Sequence, residues 1–265
     1  TPAELVSHSF LQHPIDWILL TVKSSALIEA AELAASIAGS ETGICHIQNG
    51  LGNFETVSRI FPAHLVVSGM TITGYEIVRP GEIGITVYGG PGKIGCMPLV
   101  NDRFGQVANR QARQLAEFLN ATPLVFEHSE DIQSFLWAKL LYNCCLNPLG
   151  ALLRVPYGKL LDSQCLSIMR SVLDEAFALA DAMNVSLFWP GPDAYFEHLI
   201  GTLIPATAGH EPSMLADLNR SRPTEIDAMN GYIVARSEEL GLEAPVNRIL
   251  TNLIKASLAL QPKKT

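Results

Sequence analysis

The sequence predicts an α/β protein in which a parallel sheet with crossover helices is followed by an all-α segment. Three observations predict it. Strand-sized apolar runs alternate with helical ones up to residue 128, and helical periodicity alone runs from Ser129 to the end. The third is composition: across 265 residues, 48% are hydrophobic and 17% charged, enough apolar side chain for a sizeable core and too little charge for a disordered chain. The expected division is therefore 1–128 and 129–265.

The first half reads strand, helix, strand, helix, strand. Ile15–Val22 is an apolar run expected to form a buried strand, and 26–38 a helix. Gly43–Gln48 is a second strand ending at Asn49-Gly50; Phe54–Ile60 is helical and Leu65–Ile72 a third strand. Two glycine-bounded strands, Glu82–Val87 and Lys93–Cys96, read as an antiparallel appendage. A helix over Gln106–Leu119 and a short strand over Leu124–Phe126 close this half. The second half predicts helices over 130–147, 163–184, 192–203, 213–220, 225–240 and 246–260. Ser129, Ser213 and Thr224 are expected as N-caps, and Gly241 as the glycine just past a helix end.

Charge and cysteines narrow the function classes. With 18 basic and 26 acidic side chains the net charge is −8, which argues against a nucleic-acid surface and against anionic membranes. The longest apolar runs are strand-sized, too short to span a bilayer, and Thr1-Pro2-Ala3-Glu4 does not open a signal peptide. Five cysteines fit neither a zinc pattern nor a disulfide framework and read as reduced, mostly buried thiols of a cytoplasmic protein; no metal is expected.

Gly90-Pro91-Gly92-Lys93-Ile94-Gly95 satisfies G-x-G-x-x-G, but the dinucleotide fingerprint needs those glycines to lead from a strand directly into a helix. Here Cys96-Met97-Pro98 follows, with no helical pattern. The expectation is a glycine-rich hairpin.

The informative segment is Trp137-Ala138-Lys139-Leu140-Leu141-Tyr142-Asn143-Cys144-Cys145-Leu146-Asn147-Pro148-Leu149. Lys139, Asn143 and Asn147 recur every four residues and so share one face of a helix that is otherwise apolar. An unsatisfied buried polar group costs about 1–3 kcal/mol. The stripe therefore meets polar protein groups, as a structural network with Asn147 closing the helix before Pro148, or it lines a cleft for a polar ligand. Periodicity leaves both open.

This segment resembles the central helix of the ketopantoate reductase (2-dehydropantoate 2-reductase) family, W-x-K-x-x-x-N-x-x-x-N-P-L. Three further stretches fit in order: Val22-Lys23 at a strand end, Asn49-Gly50-Leu51-Gly52, and Ser213-Met214-Leu215-Ala216-Asp217 followed by Arg222-Pro223-Thr224-Glu225-Ile226-Asp227-Ala228-Met229-Asn230-Gly231. The resemblance implies a partial Rossmann-like parallel sheet in 1–128 and, in 129–265, an all-α domain of the 6-phosphogluconate-dehydrogenase C-terminal type. It implies an NADPH-dependent oxidoreductase that reduces ketopantoate to pantoate for pantothenate and coenzyme A synthesis. Lys139 would be the general acid, with Asn49, Asn143, Asn147 and Ser213 holding the small 2-keto acid. Lys23, Asn49 and Glu225 would contact the cofactor.

The sequence also departs from that pattern. The family's opening strand, its glycine turn and the following helix have no counterpart, so the chain as written is expected to bind cofactor poorly, and an exposed sheet edge predicts an adhesive or homodimeric species. Tyr157 stands in Val155-Pro156-Tyr157-Gly158 where an asparagine is usual, and His210 stands before Ser213 where an asparagine is common. His210 reads as an ordinary loop histidine. These differences leave two alternatives: a reductase of another branched 2-keto acid, or a non-catalytic binding or oligomerisation module.

Overall fold

The computed structural model describes residues 14–99, 102–122 and 125–261. The chain divides into two compact units, one of residues 1–48 and 53–135, the other of 49–52 and 136–265.

The first unit holds the sheet. β1 (Trp17–Leu20) leads to α1 (Leu27–Ala35), β2 (Gly43–His46), α2 (Asn53–Val57) and β3 (Val66–Met70). These three strands pair in parallel in the order β1-β2-β3, as crossover helices require. Alternate residues serve opposite faces. Ile44 and Val66 join Leu27, Ala31 and Ala34 of α1 in one core, while Cys45 and Val67 join a second. α3 (Asp102–Asn120) covers that second face with Ala112, Leu115, Ala116 and Leu119. β2 and β3 are buried throughout, and the directly paired His46 and Ser68 meet through Nε2···Oγ at 2.8 Å. Burial pushes His46 down to about 4, so the ring is neutral at physiological pH.

Two expectations here are corrected. β1 is not fully buried, because it lies at the edge of the described sheet and Leu19 faces solvent. Nor do Glu82–Val87 and Lys93–Cys96 form one appendage. β5 (Glu82–Val87) pairs instead with β4 (Gly74–Arg79) in a separate two-stranded sheet. β6 (Gly92–Gly95) enters the main sheet, antiparallel to β3 and parallel to β7 (Phe126–His128). The last four residues of the G-x-G-x-x-G run are thus strand rather than part of a hairpin, and the next helix begins only at Asp102. The predicted Leu124 lies outside the described residues.

α4 (Ile132–Leu153) begins one cap later than expected. Asp131, not Ser129, is the N-cap: its Oδ1 accepts from the Ser134 N–H, while Ser129 Oγ accepts from the Asp131 N–H. The second unit continues with α5 (Ser163–Ala182), α6 (Pro192–His198), a π turn over Leu199–Leu203, α7 (Ile204–Ala206), α8 (Ser213–Asn219), α9 (Asn230–Glu239) and α10 (Pro245–Ala259). Ser213 and Thr224 are not caps. Pro212 precedes the first helical residue, Ser213, and α9 starts only after a 3-10 turn over Ile226–Ala228. Gly241 does end α9: with φ +72° it lets its own N–H reach Glu238 O and the Leu242 N–H reach Ser237 O, a Schellman closure.

All five cysteines are free thiols, four of them buried. Among the described residues no helix is long and apolar enough to cross a membrane.

Candidate active site

α4 is buried on almost every side. Trp137, Leu140, Leu141, Cys144, Cys145 and Leu146 are each at most 1% exposed. Against that background Lys139, Asn143 and Asn147 form the polar stripe expected from their spacing.

The helix does not stop at Pro148, as the proline suggested, but runs on to Leu153. A proline inside a helix has no N–H for the carbonyl four residues earlier, here Cys144. That carbonyl finds a donor elsewhere: Asn230 Nδ2 reaches Cys144 O at 3.1 Å. Asn230 is itself placed by Asn247, whose Oδ1 accepts at 2.9 Å. Glu175 completes the chain, taking Asn247 Nδ2 at 2.7 Å and the N–H groups of Val246 and Asn247 at 2.8 and 2.9 Å. One carboxylate from α5 thus caps α10 and holds the amide that repairs α4.

This arrangement makes a prediction. Asn230→Ala leaves a buried carbonyl unpaired and should cost about 1–3 kcal/mol in urea unfolding. In a Pro148→Ala background the restored N–H supplies the missing bond, so the same change should cost clearly less. Equal costs in both backgrounds would show that Asn230 stabilises by some other route.

The two amides of the stripe are joined, Asn147 Nδ2 donating to Asn143 Oδ1 at 2.9 Å. Both are buried, at 6% and 3% exposure, and Asn143 Nδ2 is left enclosed with no protein acceptor. A buried donor without a partner calls for an explanation, and a bound ligand is one. Lys139 keeps some exposed surface, but its surroundings push the ammonium down to about 8 from its ordinary 10.5. Burial is the main cause, and the Glu225 carboxylate opposes it.

Glu225 is held in turn by Asn49, whose Nδ2 donates to Glu225 Oε2 at 3.1 Å. Asn49 heads a four-residue turn, Asn49–Gly52, that belongs to the helical unit. Its Leu51 N–H donates to Ala228 O at 2.8 Å, clasping the turn to the 3-10 segment that follows Glu225.

The helical unit therefore gathers Lys139, Asn143, Asn147, Asn49 and Glu225. Ser213 stands exposed at the first position of α8. The segment before it is fixed by two backbone bonds, Tyr157 N–H to His210 O at 3.1 Å and Gly158 N–H to Ala208 O at 2.9 Å. Lys23 lies in the other unit, exposed at the N-cap of the 3-10 turn Ser24–Ala26 that opens α1 beyond the carboxyl end of β1. Beside it, Gln48 Nε2 donates to Leu20 O at 2.7 Å and Val22 O at 2.8 Å, tying the carboxyl ends of β1 and β2 together. His210 is half-buried with its ring centroid 5.3 Å from that of Tyr157; burial lowers its pKa and Glu211 opposes.

Asn230, Asn247 and Glu175 were not legible as a unit in the sequence. The only local signal was a proline within an otherwise uninterrupted apolar helical pattern.

The first unit thus holds a sheet with parallel strands, and the helical unit carries a lysine of lowered pKa, a buried amide pair and a carboxylate, the two-part organisation expected of a dehydrogenase. Comparison with known proteins gives the particular family. The family description "Ketopantoate reductase PanE/ApbA" matches residues 1–98, and its C-terminal counterpart matches residues 131–258. A 2-dehydropantoate 2-reductase of Aquifex aeolicus is 33% identical over 94% of this chain and 79% of its own length. Its counterpart from Pyrococcus abyssi is 31% identical over 94% and 78%. A PanE/ApbA family ketopantoate reductase from Ralstonia eutropha superposes with a TM-score of 0.76 at 27% identity, covering 92% of this chain and 76% of that one. The chain belongs to the ketopantoate reductase (PanE/ApbA) family.

Proposed function

We propose that the protein reduces a small 2-keto acid, 2-dehydropantoate, to the 2-hydroxy acid with NADPH, Lys139 acting as general acid. The observation that carries the reading is a lysine pushed down to about 8 on the same helical face as a buried, unpartnered amide donor. Family membership and the names of the relatives support it.

The described residues fit part of a dinucleotide site, without the glycine turn that would hold the pyrophosphate. Open α/β sheets take such ligands beyond the carboxyl ends of their strands, where Lys23 offers an exposed cation suited to a phosphate or ribose. Gln48 Oε1, enclosed at the same ends, has no protein donor. On the helical unit, Asn49 and Glu225 offer an amide and a carboxylate of the kind a nicotinamide cofactor takes. When bound, NADPH supplies the hydride.

The chain's own part is electrostatic and protonic. As the C2–H bond forms, the carbonyl π pair moves onto oxygen, and the Lys139 ammonium stabilises that charge and then gives it a proton. The neutral amine left behind recovers a proton from solvent. Asn143 Nδ2 offers a donor to a substrate oxygen that does not react, with Asn147 and Ser213 completing the hold. A lysine titrating near 8 is mostly protonated at neutral pH, yet acidic enough to transfer its proton.

The sign of the pH dependence follows. The active form is protonated, so kcat/KM in the reductive direction should be level below and fall above about pH 8. Glu225 raises the lysine, so in Glu225→Gln the falling limb should move to lower pH. A profile without that limb, or one unmoved by Glu225→Gln, would remove Lys139 from the role of acid.

A further inference from the structure

Tyr157 packs against the amide pair and falls in one of the stretches where the sequence departs from the family pattern. Its side chain is 2% exposed. Two aromatic neighbours hold the ring: Tyr142 edge-on at 5.8 Å and His210 at 5.3 Å between centroids. Its own backbone N–H is bonded to His210 O, so both ends of the residue are fixed. The phenol donates to Asn147 Oδ1 at 3.2 Å.

That bond has a direction. An amide offers a carbonyl oxygen at one end and two donors at the other, and either end can face a given partner. With Tyr157 Oη–H on Asn147 Oδ1, the Asn147 NH₂ points its donors the other way, onto Asn143 Oδ1 at 2.9 Å. Asn143 is then held by its oxygen and left with Nδ2 enclosed and unpartnered. Without the phenol, rotating both amides by half a turn would keep the Asn143–Asn147 bond and present an oxygen instead.

Resting on the reading of this wall as the keto-acid site, we infer that Tyr157 is a positioning residue that fixes the polarity of the Asn147–Asn143 pair, so that the site presents a donor and selects substrates with an acceptor oxygen there. Tyr157 touches Asn147 and acts through it. The same residue clips the segment leading to Ser213, so one side chain and its backbone set two sides of the substrate hold. A phenol buried this deeply stays protonated, and so remains a donor, across the working pH range.

The test is steady-state kinetics of the intact enzyme carrying Tyr157→Phe, with ketopantoate as the varied substrate. Asn143 holds an oxygen that does not react, so it binds ground and transition states alike. KM should therefore rise about tenfold while kcat stays within about threefold, and thermal stability should change little. In an Asn147→Ala background, Tyr157→Phe should add almost nothing, since the phenol acts through that amide. A KM unchanged by Tyr157→Phe, a fall in kcat alone, or an equal effect with and without Asn147 would each overturn the inference. Wild-type enzyme that does not turn over ketopantoate at all would overturn the functional reading instead, so the two failures are distinct.

Discussion

Lys139→Ala in the intact enzyme is expected to lower kcat by about two to four orders of magnitude with little change in KM, the loss associated with removing a positioned proton donor. Stability should not fall with it. The folded-state pKa lies below the ordinary value, from 10.5 to about 8, so the unfolded chain holds the proton more tightly than the folded one. The charged lysine therefore opposes folding; that penalty is fully present below about pH 8 and fades as pH rises towards 10.5. Removing the ammonium relieves the penalty, and at neutral pH the variant should unfold at a urea concentration equal to or above that of the wild type. Activity lost with stability kept identifies a chemical role. If turnover survives nearly intact, Lys139 is not the acid; if stability collapses with turnover, its role is structural.

The second large effect is at Gly50. Its φ of +84° disfavours any residue with a Cβ, and an added Cβ would sit 2.0 Å from Ala228 O, a backbone atom that cannot turn aside. Gly50→Ala should cost about 3 kcal/mol and push the Asn49–Gly52 turn off the 3-10 segment after Glu225. Gly52 provides the control. Its φ is nearly the same, +85°, but a Cβ there meets only the Tyr232 ring at 3.3 Å. Gly52→Ala should therefore carry the backbone strain alone, about 1–2 kcal/mol. Because Asn49 leans on Glu225, and Glu225 raises Lys139, Gly50→Ala should also shift the falling limb of the pH profile downward. Equal unfolding costs at the two glycines would mean that the clasp to Ala228 contributes nothing.

What the sequence disclosed about the fold depended on how local the determining contacts are. The parallel core β1-β2-β3 was readable because buried strands appear as unbroken apolar runs with helices between them. β4 escaped notice: Gly74–Arg79 carries mixed polar and apolar residues in a two-stranded sheet that leaves Tyr75, Val78, Ile83 and Ile85 exposed, so no strong pattern marks it. β6 was read as a strand but placed in the wrong sheet, because glycines usually signal a hairpin, whereas Gly92 and Gly95 lie within a strand of the main sheet. Pro148 misled for a similar reason. A proline normally ends a helix, and the amide that makes this one tolerable comes from Asn230, 86 residues away in sequence from Cys144.

The candidate site divides along the same line. Lys139, Asn143 and Asn147 were legible because four-residue spacing on an apolar helix is a local signal. Lys23, Asn49, Ser213 and Glu225 were drawn from resemblance, and the contact of Asn49 with Glu225 spans 176 positions, beyond any spacing rule. Tyr157 showed only as a departure from a pattern. Its bond to Asn147 exists because the chain folds back after α4 and docks on 208–210, which no local pattern announces.

The most direct test of the proposed activity is to mix the intact protein with NADPH and 2-dehydropantoate and follow cofactor oxidation together with product formation. One equivalent of pantoate for each NADPH oxidised is the predicted result. NADPH left unoxidised with 2-dehydropantoate and with other branched 2-keto acids would contradict the reductase reading and return the amide-lined wall to a binding role alone.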